Sequence, residues 1–177
     1  MSTRTTLALL AALVVLGAVA FVVQGPCSAD RPREQEALLA RFVPADVAVI
    51  RATRPGAAVL LARDGASWRL GAAREPADGA AVEALLKGLA EARVAAVAST
   101  NVAKQAAYET DGAKGVVVRL EGAGGKLLAA FVVGKSGPDF ASCYLRREGK
   151  SEVLLVTRDL RLEFSRPADA WKMPAKE

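Results

Sequence analysis

Gly134-Lys135-Ser136 is where this chain comes nearest to a motif with chemistry of its own. A glycine, a lysine and a hydroxyl in that order end the phosphate-binding loops of many nucleotide-binding proteins, whose backbone amides at a helix start cradle the phosphates. Here the position of the loop's first glycine holds Ala129, and Gly137-Pro138 follows where a helix should begin. A strand ending in a turn is therefore expected. Ser142 and Cys143 are nucleophile types, but the chain has no histidine, which removes the commonest general base and the commonest transition-metal ligand together. Cys143 alternates with Leu145 toward an apolar side and reads as a core thiol. Asp64, Asp111 and Asp139 each sit beside glycine or proline, where turns favour aspartate, and no spacing pairs their carboxylates. Trp68 and Trp171 are the only tryptophans, and Trp68 is expected to pack under a sheet and not to stack on a ligand. No catalytic, cofactor-binding or metal-ligating residue is assigned, no cofactor is expected, and the protein reads as a non-enzyme.

Composition narrows the class further. The net charge is +5, yet the 24 Lys and Arg residues are interleaved with acids, as in Arg146-Arg147-Glu148 and Arg158-Asp159. A nucleic-acid binder concentrates them on one face, so solvated surface charge is the reading and no nucleic-acid partner is expected. Hydrophobic residues make up 52% of the chain and aromatics only 5%, which predicts an aliphatic core with small packing residues. Cys27 and Cys143 lie far apart, and nothing in their spacing requires a bridge.

The elements that must position these residues begin with a membrane segment. Residues 7–23 (LALLAALVVLGAVAFVV) form an unbroken apolar run after Arg4. Seventeen helical residues reach about 25 Å, which spans the hydrocarbon core once Thr5, Thr6 and Gln24 extend it. An uncleaved signal anchor over residues 1–24 is the leading reading. A secretory peptide cut after Ala20 and a lipoprotein signal ending at Cys27 are the alternatives, but the apolar run continues through the first site and Pro26 adjoins the second. A short N-terminus with an arginine stays cytoplasmic while a long C-terminal domain is translocated, so the domain should face the periplasm of a bacterial inner membrane.

Residues 25–41 have stalk composition, with a short helix expected over 34–42 that Pro44 ends. Strand patterns over 46–53, 57–63 and 67–70, separated by Arg54-Pro55-Gly56 and Asp64-Gly65, predict an antiparallel meander. Asp78 then caps a helix reaching about Arg93, with Val82, Leu85, Leu86 and Leu89 on one face and Glu83, Lys87 and Glu91 on the other. A second short helix is expected over 101–108. Four strand patterns over 115–121, 126–133, 142–147 and 152–157 predict a second meander, closed by a helical turn over 159–164. The fold class is α+β: an N-terminal transmembrane helix, then a domain over 42–165 of two antiparallel meanders flanking an amphipathic helix, and a polar tail over 166–177.

Three groups of residues carry a family resemblance. They are Asp64-Gly65-Ala66-Ser67-Trp68-Arg69-Leu70 with Pro76-Ala77-Asp78 and the stripe from Val82; Val132-Val133-Gly134-Lys135; and Tyr144-Leu145-Arg146 with Val153-Leu154-Leu155-Val156. In this pattern the chain resembles the DUF4340 family, bacterial membrane-anchored proteins known only as a domain of unknown function. Where that family commonly has a Tyr-Gly-Leu-type segment, this chain has Tyr108-Glu109-Thr110-Asp111. The resemblance implies an accessory role beside the membrane subunits of ABC-type transporters similar to the gliding-motility system, and it carries over no catalytic residue. The expected function is thus a periplasmic interaction module with a transporter permease as partner. A binding module for a periplasmic polymer or small ligand is the alternative, and a hydrolase the third class.

The anchor reading is checked by fractionation. The protein should stay in the inner membrane through salt and carbonate washes, with Met1 or Ser2 still at its N-terminus. Replacing Leu13 and Val14 by arginine should abolish insertion, because each charge at a span centre costs about 2.5–3.5 kcal/mol.

Overall fold

The computed structural model describes residues 36–40 and 42–174. The expected membrane segment, its cleavage alternatives and Cys27 lie outside the described residues, and among those described no helix is long and apolar enough to cross a membrane.

The first meander forms as its pattern predicts. Strands β1 (Val47–Arg54), β2 (Ala57–Asp64) and β3 (Ser67–Leu70) pair antiparallel in sequence. Gly56 and Gly65 turn the chain with φ of 77° and 61°, a region glycine enters without a Cβ clash. A two-residue strand β4 (Glu75–Pro76) adds to β3 at the sheet edge, where a proline without an N–H is tolerated.

Helix α1 (Gly79–Glu91) follows, capped where expected: the Asp78 carboxylate accepts from the Ala81 N–H at 3.1 Å. Val82, Leu85, Leu86 and Leu89 are buried, as their spacing requires. Of the opposite face, Lys87 and Glu91 come within 4.0 Å but are well exposed, so the pair contributes little. Glu83 turns elsewhere. It accepts from Arg63 Nη2 at 2.8 Å and Trp68 Nε1 at 3.0 Å, which pins α1 to the β2–β3 hairpin.

The helix stops at Glu91, and the chain enters a strand the sequence does not announce. β5 (Val94–Ser99) is alanine-rich without polar alternation and takes its conformation from antiparallel pairing with residues 153–156. The second meander then matches expectation: β6 (Val116–Gly122), β7 (Leu127–Ser136), β8 (Cys143–Arg147) and β9 (Val153–Val156), closed by helix α2 (Leu160–Phe164). Asp159 caps α2, accepting from the Arg161 N–H at 2.9 Å. The helix expected over 101–108 is two separate 3-10 turns, Val102–Lys104 and Ala106–Tyr108.

The arrangement of the meanders differs from the expected one. They do not flank the helix as separate bodies. β1 and β6 pair antiparallel, with Ile50 opposite Leu120 and Ala52 opposite Val118. The result is one nine-stranded sheet, in the order β4-β3-β2-β1-β6-β7-β8-β9-β5. The fold is a mixed α/β domain with one large antiparallel sheet and two short helices. Because α1 leaves the sheet at β4 and re-enters at β5, it joins opposite edges. Its apolar stripe belongs to the same buried cluster as Ile50, Leu61, Trp68, Val118, Leu120, Phe131 and Leu145. α2 joins this core through Phe164, whose ring meets Phe131 edge-on at 5.9 Å.

Two end segments also depart from the local reading. The described part of the expected short helix is not helical: Ala37 bridges Arg93, the Leu38 N–H donates to the Ala92 carbonyl at 3.0 Å, residues 38–40 bend and turn, and Leu38 is fully buried. A helix of two or three turns has little stability alone, so pairing and burial decide. The polar segment after residue 165 docks rather than trailing away. Trp171 is buried, its carbonyl accepts from the Asp78 N–H at 2.8 Å, and Lys172 bridges Ala77.

Leu86 is completely buried beneath the sheet. Leu86→Ala should lower unfolding free energy by about 2–5 kcal/mol in a denaturant titration, through lost transfer energy and the cavity left behind. A change under about 0.5 kcal/mol would mean that the α1 stripe is not core.

Candidate functional site

The face of the sheet away from α1 is covered on one half only. Residues 100–115 cross it over β7 and β8, and glycines let them lie close. A Cβ on Gly134 would collide with the Tyr108 carbonyl oxygen and stand 2.7 Å from Thr110 Cγ2; one on Gly115 would strike the Glu109 carbonyl. Thr110 is buried there, and its N–H and hydroxyl both donate to the Gln105 carbonyl, at 2.9 and 3.3 Å. Arg146 Nε donates to the Thr110 carbonyl at 2.7 Å, and Arg161 holds Glu109 at 2.7 Å. Tyr108 of the crossing segment meets Tyr144 of β8 at 4.6 Å between ring centroids.

This geometry explains the glycine of the Gly134-Lys135-Ser136 motif without a phosphate. All three residues lie in β7, so the motif is a strand end, as its incompleteness predicts. Lys135 Nζ lies 5.4 and 5.8 Å from the Tyr108 and Tyr144 ring centroids. The Ser136 hydroxyl donates to Asp159 Oδ2 at 2.9 Å, joining the strand end to the cap of α2.

The nucleophile types are likewise absorbed into structure. The Ser142 hydroxyl and N–H both donate to Asp139 Oδ1, as does the Ala141 N–H at 3.2 Å. These bonds, the hydroxyl's first among them, hold the Asp139 carboxyl below the usual carboxylate range. Cys143 is fully buried, and burial pushes its thiol up to about 12 despite backbone N–H groups of Leu160 and Arg161 nearby. Asp64 pairs with the half-buried Arg69 and the exposed Arg74, and Asp111 accepts from the Ala113 N–H, so the three aspartates each serve a separate turn. Trp68 and Trp171 are both core residues, each under an arginine: Arg63 at 4.8 Å and Arg166 at 5.3 Å from the ring centroids. Among the described residues, no group of three or more His, Cys, Asp or Glu is placed to hold a metal ion.

Two further features were not legible beforehand. A cleft of about 360 Å³ lies between the entering chain and β7, lined by Leu39, Phe42, Val43 and Leu128 with Glu36, Asp46 and Arg147 among its polar groups. Arg147 Nε and Nη2 both donate to the Leu38 carbonyl, at 3.1 and 2.8 Å, and so hold the wall of this cleft. The second feature is the other half of the open face. Register places Leu60, Arg51, Arg119 and Ala130 in one row across β2, β1, β6 and β7. The side chains of Arg51 and Arg119 are 51% and 48% exposed. Like charges directly opposite destabilise a sheet. Each arginine is met by one carboxylate, Arg51 by Glu121 at 3.2 Å and Arg119 by Glu148 at 2.7 Å. The signal in the sequence was an arginine between buried neighbours on each strand. Only the β1–β6 pairing makes the two a row.

Fold and site together define a mixed α/β domain whose potentially reactive side chains serve turns, caps and core. Residues 68–175 match the family described as "Domain of unknown function (DUF4340)", and the chain belongs to that family. No curated protein and no solved structure gives a match.

Burial of Cys143 sets a pH dependence. A folded-state value above the unfolded one means that the thiol's contribution is fully present below 9.0 and is lost as pH rises toward about 12. Denaturation midpoints should fall over that window, and Cys143→Ser should flatten the fall. In the native protein at pH 8 the thiol should react with a disulfide reagent only as fast as the fold opens.

Proposed function

We propose that this protein is a non-catalytic interaction module of the bacterial envelope. Residues 1–24 hold it in the inner membrane, its domain faces the periplasm, and it acts as an accessory partner of an ABC-type transport complex of the gliding-motility kind. The observation that supports contact as its mode of action is the uncovered half of the sheet face. Arg51, Thr53 and Arg119 stand exposed there among small apolar side chains, on a pleated surface kept rigid by the core behind it. Such a surface offers directional charged donors amid apolar area, the composition by which proteins recognise one another. The apolar run of residues 7–23 supports the anchor, and the family resemblance supports the transport partner. The cleft beside Leu39 and Phe42 supports a second reading, a small-ligand module, because about 360 Å³ falls within the range of ligand sites.

Purification of the full-length chain from its own membrane in mild detergent tests the first reading. It should bring down a permease subunit, and the double variant Arg51→Gln, Arg119→Gln should weaken that complex on the order of tenfold with an unchanged thermal midpoint. The contact reading is sunk if the wild-type chain purifies alone and turns over an envelope polymer.

A further inference from the structure

The connection between β7 and β8 places a phenylalanine where neither burial nor backbone preference favours it. Phe140 is 81% exposed, the most exposed of the large hydrophobic side chains among the described residues. Its φ is 57°, in the left-handed region that glycine and asparagine enter and bulky side chains avoid. The surrounding turn leaves the residue no freedom to relax. Gly137 N–H donates to the Ser142 carbonyl at 2.8 Å, Phe140 N–H to the Gly137 carbonyl at 3.3 Å, and Asp139 gathers the Ala141 and Ser142 N–H groups and the Ser142 hydroxyl. The turn is anchored below by the bond from Ser136 to Asp159 at the start of α2. A glycine here would make the same turn without strain. The aromatic ring gives the isolated domain nothing in exchange, since it takes no part in the core.

A strained residue held by an over-determined turn is a device for projecting a side chain from the surface in one backbone-set direction. Aromatic side chains dominate protein contacts, with only two χ angles to order, and a backbone already fixed leaves less to order on binding. At the same end of β7, Lys135 makes its contacts with two tyrosine rings, and among the described residues no carboxylate pairs with it, which leaves its charge for a partner.

We propose that Phe140 is the docking anchor of this domain: it enters an apolar pocket on a protein partner, and a carboxylate on the rim of that pocket meets Lys135. This deepens the interaction reading above and rests on it. A lipid surface is the poorer occupant, because one ring at a bilayer gives weak, reversible attachment and gains nothing from a fixed orientation. A shaped pocket rewards the orientation that the turn enforces.

The test uses the full-length protein in its own membrane with a photoreactive benzophenone side chain at position 140. Irradiation should give one discrete protein adduct whose mapped peptide is apolar and borders an Asp or Glu. The same probe at Leu127, exposed on a different hairpin, should give none. Against the purified partner, Phe140→Ala and Lys135→Glu should each weaken binding on the order of tenfold or more, while Phe140→Leu keeps most of it. Phe140→Gly separates anchoring from mere structure: it should raise the thermal midpoint by relieving strain, yet weaken binding as far as Phe140→Ala. The assignment is overturned by an adduct to lipid, to a second copy of this chain or to many proteins indiscriminately. It is equally overturned by no adduct, or by a Phe140→Gly variant that binds as well as wild type. If Phe140→Ala leaves the partner bound while the Arg51 and Arg119 changes release it, the anchor fails and the open-face reading stands.

Discussion

Pairing between β1 and β6 is the contact on which the rest of this domain depends, because it turns two locally specified meanders into one sheet. Each meander alone would expose an edge where Ile50 and Leu120 now lie side by side, and neither could bury an apolar face. The pairing closes a long stretch of chain, but loop-closure entropy grows only slowly with length. The alternating burial of β1 and β6 meets at the seam, so Ala52 and Val118 continue one core face across it. α1 is then obliged to link opposite edges, which is why its stripe, the α2 ring of Phe164 and Trp171 share a single core.

The two faces of this sheet are treated differently, and backbone chemistry accounts for it. On the core side, aliphatic side chains and two helices exclude water. On the other side the crossing segment packs by backbone against Gly134, closes on its own Gly115, and has its polar groups met by Gln105, Arg146 and Arg161. Such a cover extends only as far as those glycines and arginines reach. It stops short of β1, β2 and β3, where Arg51 and Arg69 remain at the surface tied to nearby acids.

Side chains with reactive potential are used here as structural parts. Ser136 ties a strand end to a helix cap, Asp139 and Ser142 shape a turn, and Cys143 fills the core with its thiol held neutral. Chain chemistry in this region serves to fix geometry at one end of the sheet. That fixed geometry is what places Phe140 and Lys135 outward.

By itself the sequence determined the elements whose period and turn chemistry are strong, and not the short helices expected over 34–42 and 101–108. The three strands of the first meander, the four of the second, the Asp78 cap and the buried stripe of α1 all followed from period and turn chemistry, since these are set within a few residues. The strand character of Gly134-Lys135-Ser136 and the burial of Cys143 and Trp68 were legible for the same reason. Only the tertiary structure decided what depends on a distant partner. β5 is a strand because β9 lies beside it, Ala37 is bridged and not helical because the chain between α1 and β5 receives it, and Trp171 is core because the segment after α2 returns to Asp78. Arg51 and Arg119 form a row through the register of two strands far apart in sequence, and no local pattern encodes which edge of one meander will meet which edge of the other. Period and turn type fix a strand and its faces, while the neighbour it pairs with is chosen by burial across the whole chain.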